Sequence, residues 1–99
     1  MDIINRNINK IQELCKRYRV LRLFVFGSVL TENFNKNSDL DLLVEFENVD
    51  LKEYADNYFD FKFSLQDLLQ REIDLLENKG LKNPFLKQSI DSTKKMIYG

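Results

Sequence analysis

The chain has 99 residues, 43% of them hydrophobic, and 15 basic side chains against 16 acidic ones, for a net charge of −1. That length suits one domain spanning 1–99, and the near-neutral balance offers no bulk attraction to nucleic acid or to a membrane surface. There is no histidine and a single cysteine, which excludes histidine-based triads, histidine metal ligands and an intrachain disulfide. Any chemistry must therefore run on carboxylates, hydroxyls, lysines or a metal. No apolar run approaches the roughly 18 residues of a membrane span and the N-terminus has no secretory pattern, so a cytoplasmic protein is expected.

Ile4, Ile8, Ile11, Cys15 and Tyr18 recur at spacings of four and three, which predicts an amphipathic N-terminal helix with Asp2 as a candidate cap. Cys15 falls on the buried stripe as core filler. Leu21-Arg22-Leu23-Phe24-Val25-Phe26 reads as a buried strand, and Gly27-Ser28 ends it. Glycine admits unusual dihedrals and close approach, serine caps a following turn, and free amides at such a bend make a phosphate seat. A polar connector, Thr31 to Ser38, follows.

Asp39 to Phe46 predicts a second strand. Successive side chains alternate faces, so Asp39 and Asp41 share one face, roughly 6.5–7 Å apart along the strand, while Leu40, Leu42 and Val44 take the other and bury. Two carboxylates side by side repel each other, and a hard divalent cation such as Mg²⁺ is the natural relief.

Asn48 or Asp50 precedes a long helix on which Leu51, Tyr54, Tyr58, Phe61, Leu65 and Leu68 keep spacings of three and four. Ala55, Phe59 and Phe63 add a second apolar row, so the apolar arc exceeds what one sheet face covers. Either the C-terminal helix covers the remainder or a partner does. Glu72 to Leu76 predicts a third short strand, with Asp74 on the face opposite Ile73 and Leu75. Asn78-Lys79-Gly80 is turn chemistry. Pro84 opens a last helix with an irregular apolar face formed by Phe85, Leu86, Ile90, Met96 and Ile97, in a segment where five lysines outnumber two acids.

Gly27-Ser28, ten intervening residues, then Asp39-Leu40-Asp41 resembles the signature of the DNA polymerase β-like nucleotidyltransferase superfamily. Within it, the short chain resembles the minimal nucleotidyltransferases, the MntA-type antitoxins paired with HEPN toxins. The resemblance implies an α/β (α+β) nucleotidyltransferase fold, a small mixed sheet of about three strands flanked by helices. It also implies a third carboxylate on the strand after the long helix, which falls on Asp74. On that pattern Gly27 and Ser28 hold a triphosphate, and Asp39, Asp41 and Asp74 form the catalytic and metal-binding set for two Mg²⁺ ions with ATP as substrate. The implied reaction is transfer of AMP to a hydroxyl, a tyrosine of the HEPN toxin partner. The chain has no room for an acceptor domain, so an oligomer or a second chain is expected.

One stretch departs from that family. Many MntA-type proteins carry Arg and Gly soon after Gly-Ser, where this chain reads Val29-Leu30-Thr31-Glu32. Arg22 or a C-terminal lysine is the candidate replacement. The departure motivates an alternative, a catalytically weak binding module that neutralises its partner by steric cover. A third reading is an enzyme acting on a small-molecule hydroxyl.

Overall fold

A computed structural model describes residues 2–99. The elements run α1 (Asp2–Arg6), α2 (Ile8–Arg17), β1 (Val20–Phe26), β2 (Leu40–Phe46), α3 (Leu51–Leu69), β3 (Ile73–Glu77), α4 (Pro84–Thr93) and β4 (Lys95–Tyr98). The four strands form one mixed sheet in the order β3-β2-β1-β4. β1 pairs antiparallel with both β2 and β4, whereas β2 and β3 are parallel and joined through α3, since a parallel pair needs a crossover rather than a hairpin.

The N-terminal stripe forms as predicted but on two helices. The chain breaks at Asn7, whose side-chain amide donates to the Ile3 carbonyl at 2.8 Å, the kind of local bond with which asparagine competes against helix propagation. Asp2 lies inside the first turn rather than capping it. Ile4, Ile11 and Cys15 still reach the main core, where they meet Leu23, Val25, Leu40, Leu42, Val44, Phe61 and Leu65. Phe61 is wedged between the rings of Tyr18 and Phe46 at 6.0 and 5.9 Å.

The opposite sheet face carries a smaller core of Phe24, Leu43 and Ile90 under α4. This settles what covers α3. The C-terminal helix lies across the sheet from α3 and does not cover it, so Phe59 and Phe63 stay about half exposed, their rings stacked at 5.9 Å. Leu51, assigned by its spacing to the buried row, is 91% exposed at the helix start.

The C-terminal segment also differs from expectation. α4 stops at Thr93, and Met96 and Ile97 belong to a fourth strand rather than to that helix. The irregular apolar face has this cause: a helical periodicity ends at Thr93 and a strand periodicity begins at Lys95. Pro84 does open α4, and Asn83 caps it by accepting from the Phe85 and Leu86 amides.

Candidate active site

Strand register builds the site. In the parallel pair, Asp41 lies directly across from Asp74, and in the antiparallel pair Asp41 lies across from Phe26, the residue before Gly27. Leu40, Leu42, Ile73 and Leu75 point into the main core. Alternation therefore puts Asp41 and Asp74 on the other face, at the end of the sheet where β1 finishes and β2 and β3 begin. Asp74 is exposed and Asp41 is half-buried.

Gly27 is required by Asp41. Its φ is +79°, a region L side chains rarely adopt, and a Cβ there would stand 2.2 Å from Asp41 Oδ2. The carboxylate thus occupies the space a side chain at 27 would fill. Gly27–Leu30 forms one 3₁₀ turn. Thr31 closes it: its amide and its hydroxyl both donate to the Ser28 carbonyl, at 2.9 and 2.8 Å. Val29 is buried in the main core and Leu30 packs against it, so these two side chains anchor the turn to apolar packing.

Asp39 sits one residue before β2, at the end of the connector. Arg71 holds that connector: Nη1 donates to the Asn35 and Ser38 carbonyls at 2.8 and 2.5 Å, and the guanidinium lies over the Phe34 ring at 4.3 Å. Asp39 faces a cleft of about 400 Å³ that it shares with Lys36, Ser38, Gln70, Arg71 and Glu72. No local pattern in the sequence marks Arg71, because its partners are backbone carbonyls more than thirty residues away.

Burial, and after it the charges of Asp74 and Asp39, push the Asp41 carboxyl above its ordinary range, against a Ser28 backbone hydrogen bond that pulls it down. The three carboxylates therefore sense one another. No salt bridge engages any of them among the described residues. Nor do any three acidic or thiol side chains among the described residues stand close enough to ligate a single ion. Asp39 rides on the loop before β2, while strand pairing fixes Asp41 across from Asp74. Its chemistry fits a hard divalent cation: all oxygen donors, uncompensated negative charge, and one carboxyl held above its ordinary pKa by burial and by its acidic neighbours.

The family pattern of the nucleotidyltransferase domain matches residues 8–97. "Putative protein adenylyltransferase MJ0128" of Methanocaldococcus jannaschii is 32% identical over 91% of this chain and 86% of its own length. The solved structure of a "putative minimal nucleotidyltransferase" is 29% identical, with a TM-score of 0.78, over 95% of this chain and 92% of the other. A structure of a tri-AMPylated Shewanella oneidensis HEPN toxin in complex with MNT antitoxin shares the fold at 20% identity, with a TM-score of 0.66 over 96% of this chain and 71% of that one. The chain belongs to the nucleotidyltransferase domain family, and its mixed α+β sheet is the nucleotidyltransferase fold. No helix among the described residues is long and apolar enough to cross a membrane.

Proposed function

We propose that this chain is a minimal, single-domain adenylyltransferase that moves AMP from ATP to a hydroxyl of a partner protein, acting in the cytoplasm as antitoxin to a HEPN-type toxin. The observation that carries the reading is the pairing of Asp41 with Asp74 beside a glycine whose missing side chain is replaced by the Asp41 carboxylate. The naming of the Methanocaldococcus relative as an adenylyltransferase and the AMPylated toxin beside the Shewanella antitoxin support the choice of AMP and of a protein acceptor.

In nucleotidyl transfer the protein has little covalent work; it positions groups and stabilises charge. The Ser28 hydroxyl, with the amides near Gly27 that Asp41 leaves free, seats the triphosphate tail. Asp39, Asp41 and Asp74 would hold Mg²⁺, which when bound neutralises phosphate charge and lowers the pKa of a coordinated hydroxyl. Asp74, exposed at the sheet end, accepts the proton of the attacking acceptor hydroxyl. That oxygen forms a bond to the α-phosphorus, and the bond to the bridging oxygen breaks to release pyrophosphate. β3 is an edge strand, so an acceptor on a second chain has open access to Asp74. A tyrosine fits, because its long side chain carries a hydroxyl to a site set back at a strand end.

The test is incubation of the purified chain with its partner, ATP and Mg²⁺, read by intact mass. The expected result is one or a few additions of AMP mass to the partner and none with D41N. An unmodified partner, with D39N and D41N neutralising toxicity as well as the wild type, would remove catalysis. The second reading, steric neutralisation by a catalytically weak fold, draws on the half-exposed Phe59–Phe63 stack and on the apolar Val29-Leu30. Calorimetry with ATP and Mg²⁺ in the presence of the partner separates the two, since absence of heat favours cover over chemistry.

A further inference from the structure

Asp41 and Asp74 are placed by strand pairing, but Asp39 stands outside β2 and has to be held another way. Its backbone is bracketed. On one side the Ser38 carbonyl accepts from Arg71 Nη1 at 2.5 Å. On the other, the Leu40 amide donates to the Glu72 carbonyl at 3.0 Å. Two consecutive residues in the link between α3 and β3 thus grip the residues on either side of Asp39. Asp74 follows on the same segment, two positions after Glu72.

The Arg71 grip reaches further back, since Nη1 also donates to the Asn35 carbonyl at 2.8 Å. Asn35 to Ser38 is a turn closed from within. The Ser38 amide donates to the Asn35 carbonyl at 3.0 Å, the Asn35 amide to Ser38 Oγ at 3.2 Å, and the Asn37 amide to Asn35 Oδ1 at 2.8 Å. Arg71 therefore holds a small closed unit rather than one loose carbonyl, and the Phe34 ring, 4.3 Å from the guanidinium carbon, steadies it. Arg71 and Asp39 line the same cleft, yet Arg71 forms no salt bridge among the described residues. It acts on Asp39 through the backbone and not by ion pairing.

We propose that Arg71 is a positioning residue for Asp39: by clamping the Asn35–Ser38 turn to the start of the β3 segment, it leaves only the Asp39 side chain to move when a divalent cation binds with Asp41 and Asp74. Ordering a loop backbone costs conformational entropy, and the clamp meets that cost before the ion arrives. This rests on the metal reading of the three acids above and deepens it by naming what fixes the one acid outside the sheet. Charge and position make opposite predictions here. Deleting a cation beside a cation site should tighten metal binding by Coulomb's law, whereas freeing Asp39 should weaken it.

The experiment is titration of the full chain with Mn²⁺, standing in for Mg²⁺ and followed by electron paramagnetic resonance, for wild type, R71M, R71K, D39N and the double variant R71M/D39N. R71M is expected to weaken Mn²⁺ binding about tenfold, the lower end of what losing a ligand-orienting partner costs. R71K keeps the charge but not the flat fork that spans two carbonyls, and should lose about threefold or more. In the D39N background R71M should change affinity less than about twofold, because no carboxylate is left at 39 to position. Unchanged or tighter binding by R71M, wild-type affinity in R71K, or an equal fall in the D39N background overturns the assignment. Wild-type Mn²⁺ binding that is absent, or unaltered by D39N, overturns the metal reading and this inference together, whereas D39N-sensitive binding with an indifferent R71M overturns Arg71 alone. Binding is read at a temperature where circular dichroism shows each variant folded, and R71K decides the matter if R71M does not fold.

Discussion

Replacing Gly27 with alanine isolates the contact on which the site geometry depends. Two costs follow from the structure. A φ of +79° penalises an L side chain by about 1–2 kcal/mol. The new methyl, 2.2 Å from Asp41 Oδ2 and 3.1 Å from its Cγ, overpacks the site by about 1–3 kcal/mol more. Together G27A should lose about 2–5 kcal/mol of the roughly 5–15 kcal/mol available to a small domain. Urea unfolding should show this as a midpoint lowered by about 1 M or more, given slopes of about 1–3 kcal/mol per molar. The two terms separate in a double-mutant cycle with D41A. Removing the carboxylate relieves overpacking but leaves the dihedral cost, so the cycle should return a coupling of about 1–3 kcal/mol. Gly80 is the control: its nearest neighbour to a new Cβ is Glu77 Cβ at 3.9 Å, and G80A should stay within about 0.5 kcal/mol of wild type. An unshifted G27A midpoint, or an equal cost of G27A with and without Asp41, would refute the claim that Asp41 occupies the glycine's side-chain space.

Asp41 holds its proton more tightly folded than unfolded, so between its ordinary value of 3.8 and its raised folded value the native state binds more protons and stability falls as pH rises. D41N should therefore melt higher than wild type at pH 7, with the gap closing as pH falls below 3.8; a constant gap across pH would contradict this. R71M removes two hydrogen bonds from a charged donor and the stack on Phe34. It should lose about 1–3 kcal/mol and speed amide exchange in residues 31–39, with R71K recovering little because an ammonium lacks the flat fork; unchanged exchange there would separate Arg71 from the connector. Burial pushes the Cys15 thiol up to about 12, so an aromatic disulfide reagent at pH 8 should leave it unlabelled until denaturant is added. Rapid labelling of the folded chain would place Cys15 outside the core.

The face that Asp41 and Asp74 share was legible because it depends on short-range alternation. Asp39-x-Asp41 and Ile73-Asp74-Leu75 each fix which side of a strand the acid takes, and the Gly-Ser bend fixes where β1 stops. What alternation alone does not give is register. Asp41 meets Asp74 only because the α3 crossover makes β2 and β3 parallel and in step. The second core was also readable: Leu23-Phe24-Val25 and Leu42-Leu43-Val44 are unbroken apolar runs, the mark of strands covered on both faces. Read that way, they assign the C-terminal helix to the sheet and leave the outer row of α3 bare. β4 was hidden because four residues beyond a helix end, with Met96 and Ile97 at a spacing that also suits a helix, carry too little periodicity to decide.

The same features that build the site leave it unfinished within one chain. A parallel edge strand exposes Asp74, the turn beside it has given Val29 and Leu30 to the core, and no salt bridge engages the three acids among the described residues. Each departs from what stability alone would select, as functional positions commonly do. Mutually repelling carboxylates beside a glycine whose side-chain space Asp41 fills are the observations on which the proposed cation and phosphate sites rest. On the proposed reading, the open edge of β3 is where a protein acceptor would dock, and acceptor selectivity would come from that docking.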